Sequence, residues 1–297
     1  MEARSYRRVV RCIDQVCSRG RRRRQQFSDA VIVKVYFFAT LWDRPVSWAC
    51  DLANWTQDLL LATVALSLPS QPTLSRRLRT VGVLQLIEQV QCRLAEALGD
   101  SRLKVIDSKP LCTGSYSKDK DARPGRAAGR MAKGYKLHAI TAACSFVHWT
   151  LLPMNEHDQI GAAMLLPRLK DYGYLSGDNA YDANTLYQQA AAMNHQLIAP
   201  PQKARAHVRD LRRNRPERIR SLDLCADPLQ HCGRPDDFAR AIRSGRVQIE
   251  RNFGNAAMSG LWGLPPWVRT PHRVAVWVAA KLILRMLRQL EIAGVRT

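Results

Sequence analysis

Leu103-Lys104-Val105-Ile106-Asp107-Ser108-Lys109-Pro110 is the stretch on which the fold turns. Leu103, Val105 and Ile106 read as a short buried strand, and Asp107 stands where that apolar run ends. A carboxylate at such a point is held by a rigid element while it faces an open site. The plainer reading of the same residues is an Asp that opens a turn ahead of Pro110. The rest of the chain decides between the two.

Downstream the texture alternates. A polar loop rich in Gly, Lys and Arg covers residues 113–133, and residues 135–141 and 146–152 read as two strands of a hairpin. Asp158 can cap a helix that runs to about residue 170, and a site role for His157 and Asp158 is the lesser alternative. Residues 172–178 make a turn and a short strand that ends on Asp178; Asp182 then stands before a helix over 183–194, where it suits a cap. Residues 196–199 form a further strand, stopped by Pro200 and Pro201. Residues 201–245 are basic and irregular, as in an insertion or a DNA-facing segment. A helix over 246–258 then puts Arg246, Ile249, Glu250 and Phe253 on one face. A Trp- and Pro-rich link, 260–271, leads to a last helix over 273–290 with Lys281, Arg285 and Arg288 along one side.

Upstream the pattern is helical. Ser28 and Asp29 cap a helix over 31–41, a second helix covers 47–66, and Pro69-Ser70-Gln71-Pro72 makes a corner. Residues 73–79 form a short helix with arginines on one side, so that helix, corner and basic helix suggest helix-turn-helix; a plain three-helix packing reads equally well. An amphipathic helix over 83–98 ends at Gly99.

Lys and Arg outnumber Asp and Glu by 46 to 25 among 297 residues, which leaves a net charge of +21. An excess of that size implies a polyanionic partner, nucleic acid first. The eight cysteines include no CxxC pair, and Cys225, His231 and Cys232 supply one cluster with two adjacent ligands, too little for a zinc site. A reducing cytosol fits. The apolar runs 31–42 and 274–287 are too short or too charged to span a bilayer.

Asp107 and Asp178 thus follow strands and Glu250 rides a late helix, 71 and 72 residues apart in turn. With Val105-Ile106-Asp107-Ser108, Gly134-Tyr135-Lys136-Leu137-His138, Gly177-Asp178-Asn179-Ala180-Tyr181 and Arg246-Val247-Gln248-Ile249-Glu250-Arg251-Asn252-Phe253, the chain resembles the DDE transposases of bacterial insertion sequences. One branch of that family carries a Tyr-x2-Arg-x3-Glu-x6-Lys signature. This chain keeps Arg246 before Glu250 but has Arg243 in place of the Tyr and Ala257 in place of the Lys.

The resemblance implies an α/β fold: a ribonuclease-H-like mixed five-stranded sheet flanked by helices, preceded by an all-helical N-terminal domain. The expected division is a basic arm over 1–27, a helical DNA-binding domain over 28–99, and a catalytic domain over 100–297 with its insertion at about 201–245. It implies a catalytic set of Asp107, Asp178, Glu250 and Arg246. Asp107 bridges two metal ions, while Asp178 and Glu250 hold one each. Mg²⁺, with Mn²⁺ as a substitute, suits hard carboxylate oxygens, and two such ions serve in-line phosphodiester chemistry. The implied partners are double-stranded DNA, as terminal inverted repeats and as target, and a second copy of the chain in a homodimer on DNA. No membrane partner is expected, and the location is the bacterial cytoplasm at the nucleoid. The rival functions are a nuclease of the same fold that cuts without joining, and a non-catalytic DNA-binding protein derived from a transposase.

Overall fold

The computed structural model of the chain describes residues 2–17, 26–64, 67–99, 101–114, 117–127, 129–143, 145–202, 214–226, 247, 249–261 and 263–295. They form two compact units, Gly99–Asn255 and Met1–Leu98 with Ala256–Thr297.

The helical unit begins with α1 (Glu2–Val16), α2 (Asp29–Leu41), α3 (Val46–Ala49), α4 (Gln57–Thr63), α5 (Gln71–Arg77) and α6 (Val81–Leu98). The stretch expected as a basic arm is in part a helix: α1 buries Tyr6, Val9, Cys12 and Ile13. Ser28 caps α2 by accepting from the Val31 N–H at 3.3 Å, and α2 is buried on nearly every side, as its apolar run requires. The single helix expected over 47–66 is broken. Asp51 turns its side chain back to the Ala53 N–H, which starts a new turn, and Trp55 then stacks on Phe38 at 3.6 Å between ring centroids. Of the arginines expected along one side of residues 73–79, Arg77 is drawn inward, where it pairs with Asp29 at 2.6 Å; Arg76 and Arg79 stay exposed.

The second unit is built on a six-stranded mixed sheet of β1 (Leu103–Cys112), β2 (Arg123–Ala127), β3 (Arg130–Ala142), β4 (Ser145–Pro153), β5 (Gly173–Ser176) and β6 (His195–Ile198). β3 lies antiparallel to β1 and β4, whereas β5 is parallel to β1 and to β6. The order β4-β3-β1-β5-β6 is that of the ribonuclease-H-like fold. β2, the strand beyond the expected five, arises because β3 starts at Arg130 and pairs its first residues with 123–127. Helices α7 (Asp158–Leu165) and α8 (Asn184–Ala192) cover one face, where Ile106, Ile140, Leu165, Leu175, Tyr187 and Leu197 form the core. Strand side chains alternate, so with Ile106 on that face Val105 and Asp107 turn to the other. α7 approaches β3 at Gly161: a Cβ there would lie 2.3 Å from the ring of His138. The stretch after Pro201, expected to be irregular, contains α9 (Pro216–Ala226), and residues 249–256 form α10.

The last helix, α11 (Pro271–Ile292), was expected to close the second unit but packs in the first, against α6, α1 and α2. Two of the three cations along its side turn inward, and Arg288 stays exposed. Lys281 and Arg285 are buried, and Lys281 pairs with Asp43 at 2.5 Å. Among the described residues no helix is long and apolar enough to cross a membrane.

Candidate active site

The last register pair between β1 and β5 is Val105 with Ser176. Asp107 stands two residues further along β1, and Asp178 stands two residues past the end of β5. β5 stops there: the Gly177 N–H donates to the Ile198 carbonyl at 2.9 Å, and Asp178 caps a tight turn through the Ala180 N–H at 2.8 Å. β1 does not stop. It runs on to Cys112 paired with β3, so the open site at Asp107 comes from the departure of β5 and not from the end of β1. Pro110 is tolerated because β1 has lost its β5 neighbour by then, and a missing N–H can face the open side.

Glu250 enters from α10, exposed to solvent. The helix is held to the sheet by Phe253, 5.8 Å from Phe146 between ring centroids, and by two side chains that reach backbone carbonyls. Lys109 Nζ donates to the Phe253 carbonyl at 3.2 Å, and Asn252 Nδ2 to that of Ala143 at 2.8 Å. Asp178 and Glu250 lie near enough for their charges to act on Asp107. Burial pushes the Asp107 carboxyl up to about 6; the Ser108 N–H, at 2.7 Å, opposes the rise, and the negative charges of Asp178, Asp158 and Glu250 add to it. Burial lowers the Lys109 ammonium, and the charge of Asp107 resists that lowering.

Asp158 also acts on this cluster, a residue whose sequence position suggests a helix cap first and a site role second. In its place His157 stands at the N-cap of α7 without a side-chain bond. Asp158 Oδ1 accepts from Ser108 Oγ at 2.6 Å and from Lys136 Nζ at 3.3 Å, with His138 Nδ1 at 3.7 Å. His138 is fully buried, and burial lowers its pKa to about 4, so it is neutral at ordinary pH. Tyr181 is buried against the same group: burial first, then the charges of Asp107, Asp158 and Asp178, raise its phenol. Gly177 leaves room for that ring, since a Cβ would lie 2.8 Å from Tyr181 Cδ2.

Asp182, read from the sequence as a helix cap, has another task. Its two oxygens accept from Arg218 Nε and an Arg218 terminal nitrogen at 2.7 Å each, and Oδ2 also accepts from the Gln202 N–H at 3.0 Å. This pair ties α9 to the segment between β5 and α8. Arg246, His231, Cys232 and Trp262 lie outside the described residues, and Cys225 is exposed at the end of α9.

The donor set at the cluster consists of hard carboxylate oxygens, which suit Mg²⁺ or Mn²⁺. Among the described residues no three His, Cys, Asp or Glu side chains already stand close enough to hold an ion by themselves. The concentrated negative charge on Asp107, in a chain of net charge +21, is nevertheless what a divalent cation would relieve, and Mg²⁺ ordinarily keeps several waters instead of a full protein cage. The residues therefore fit such an ion.

Two solved structures are similar to this chain. One is the cryo-EM structure of the piggyBac transposase synaptic complex with hairpin DNA, at 10% identity and a TM-score of 0.47, covering 98% of this chain and 74% of that one. The other is the Mos1 transposase paired-end complex with the left transposon end, at 14% identity and a TM-score of 0.24, covering 80% of this chain and 81% of that one. No curated protein matches the sequence. The family model described as a transposase DDE domain matches residues 98–287, most of the chain and all of the carboxylate cluster. The chain belongs to the DDE-domain transposase family.

Proposed function

We propose that this transposase binds the ends of its own element as duplex DNA, cleaves a strand to free a 3′-OH, and joins that hydroxyl to a target phosphodiester. The observation that carries the reading is the convergence of Asp178 and Glu250 on the charge of Asp107. Asp107, Asp178 and Glu250 are the residues that would hold divalent cations, with Asp107 as the ligand common to them. Such ions, when bound, activate the attacking oxygen and stabilise the leaving one. Asp107 is held rigidly by β1 and by the Ser108 N–H, so its carboxylate is aimed before substrate arrives. At neutral pH it lies above its raised pKa and is ionised, as a ligand must be. Lys109 ties β1 to the helix that carries Glu250, which fixes the third carboxylate relative to the first. Asp158, through Ser108 Oγ, braces the residue next to Asp107. Water and a 3′-OH are interchangeable nucleophiles at such a site, so one set of carboxylates serves both steps. Because two ends must be joined together, two protomers act on the DNA.

The test is strand transfer from an oligonucleotide duplex that ends in the pre-cut 3′-OH of the element, with Mg²⁺ or Mn²⁺. Joined products that vanish in Asp107→Ala while duplex binding persists are expected. Cleavage without joining would identify a nuclease of the same fold, and binding without either reaction would identify a DNA-binding protein that has lost catalysis.

A further inference from the structure

In the helical unit, side chains from α2, α5 and α11 enclose a cavity of about 190 Å³. Its floor is apolar, formed by the buried Tyr36, Val276 and Trp277. Its rim carries Arg44, Arg79, Arg273 and Trp267, all four exposed, and no acidic side chain lines it. Inward-turned cations of the same unit are neutralised: Lys34 by Asp14, Arg77 by Asp29, Lys281 by Asp43 and Arg8 by Glu291. Among the described residues, Arg44, Arg79 and Arg273 have no such carboxylate. Three unneutralised guanidinium groups around an apolar hollow with an exposed indole at its edge make a site for a ligand that is anionic at one end and apolar at the other. Guanidinium forks match phosphate oxygens in geometry as well as charge.

We propose that this cavity grips one nucleotide unit of a DNA strand, with its phosphodiester on Arg44, Arg79 and Arg273 and its sugar against Trp267 and the apolar floor. The choice of DNA as the polyanion rests on the transposase function proposed above. Gln71 and Ser75 stand one turn apart on α5 and line the cavity together with Arg79, just past the end of that helix, so the polar face of α5 and the hollow meet the same strand. The contact reads backbone and carries no base sequence, which makes it a grip that positions the DNA.

The test compares the Arg44→Gln, Arg79→Gln, Arg273→Gln triple variant with a control triple of equal charge loss, Arg11→Gln, Arg93→Gln, Arg288→Gln, drawn from exposed arginines elsewhere on the unit. Binding of a fluorescent DNA duplex is followed by anisotropy in EDTA over a salt series, with melting curves to confirm that both variants fold. Each lost phosphate contact lowers the slope of log affinity against log salt by about 0.9. The cavity neutralises one phosphate, so the weakening that wild type undergoes between about 50 and 200 mM salt is expected to shrink roughly three- to fourfold in the cavity triple and to change little in the control. A cavity triple indistinguishable from the control overturns the inference and leaves the transposase reading standing, whereas wild-type protein that binds no duplex overturns that reading itself. Deoxyadenosine monophosphate, titrated against tryptophan fluorescence, supplies the other arm. Tight saturation of wild type, with duplex binding untouched by the cavity triple, would overturn the choice of DNA in favour of a free nucleotide.

Discussion

Asp107→Asn, made in protein stripped of divalent cations, is expected to stabilise the fold at neutral pH and to leave it unchanged in acid. The Asp107 carboxyl lies at about 6 in the folded chain against an ordinary Asp value of 3.8, because burial and the charges of Asp178, Asp158 and Glu250 disfavour its ionised form. The folded state therefore holds this proton more tightly than the unfolded chain does. Stability is highest below the unfolded value and falls as pH rises between about 4 and 6. One pKa unit corresponds to about 1.36 kcal/mol, so the full shift costs about 3 kcal/mol above neutrality. Asn keeps an oxygen for the Ser108 N–H and carries no charge, which removes that cost. Thermal unfolding in EDTA should place the variant roughly 6–12 °C above wild type near pH 7.5. The gap should narrow to about 1 kcal/mol near pH 4.5 and close in stronger acid. Mn²⁺ or Mg²⁺ should raise the melting temperature of wild type and not that of the variant. A variant no more stable than wild type at neutral pH, or an offset that ignores pH, would refute the reasoning.

Arg218→Ala leaves the buried Asp182 carboxylate without its bidentate partner and should cost about 3–5 kcal/mol in denaturant unfolding; a change under about 1 kcal/mol would mean that the pair does not hold α9 in place. Gly161→Ala forces a Cβ against the ring of His138 and should cost about 1–3 kcal/mol, so a variant that unfolds like wild type would show that α7 can back away from β3 freely. Asp158→Asn removes one of the charges that raise Asp107, so the fall in stability with pH should move to lower pH, and strand transfer should drop about 10- to 100-fold through the loosened Ser108 contact. An unmoved pH profile would separate Asp158 from the cluster.

The placement of Asp107 on β1 and of Asp178 just past β5 is legible in the sequence because the apolar runs before them read as strands. Glu250 is legible because Ile249 and Phe253 mark the buried face of its helix. Other features lie beyond a pattern. The run Arg123-Pro124-Gly125-Arg126-Ala127 has no apolar alternation; it is a strand only because β3 offers it an edge. Periodicity puts Lys281 and Arg285 on one side of their helix, but it tells which residues share a face and not whether Asp43 waits on the other side. For the same reason the helix over 271–292 could not be assigned to the helical unit from its own sequence. Asp158 and Asp182 both precede helices and both read as caps. Their partners, Ser108 and Arg218, are 50 and 36 residues away, and only the folded chain brings them together.

The claim at the centre of the account is that Asp107, Asp178 and Glu250 form one divalent-ion site with Asp107 shared. Mn²⁺ binding, counted by electron paramagnetic resonance on protein bound to a pre-cut element end, tests it most directly. The account predicts two ions per protomer in wild type, loss of both in Asp107→Ala, and loss of one in Asp178→Ala and in Glu250→Ala. Two ions retained in Asp107→Ala would contradict it.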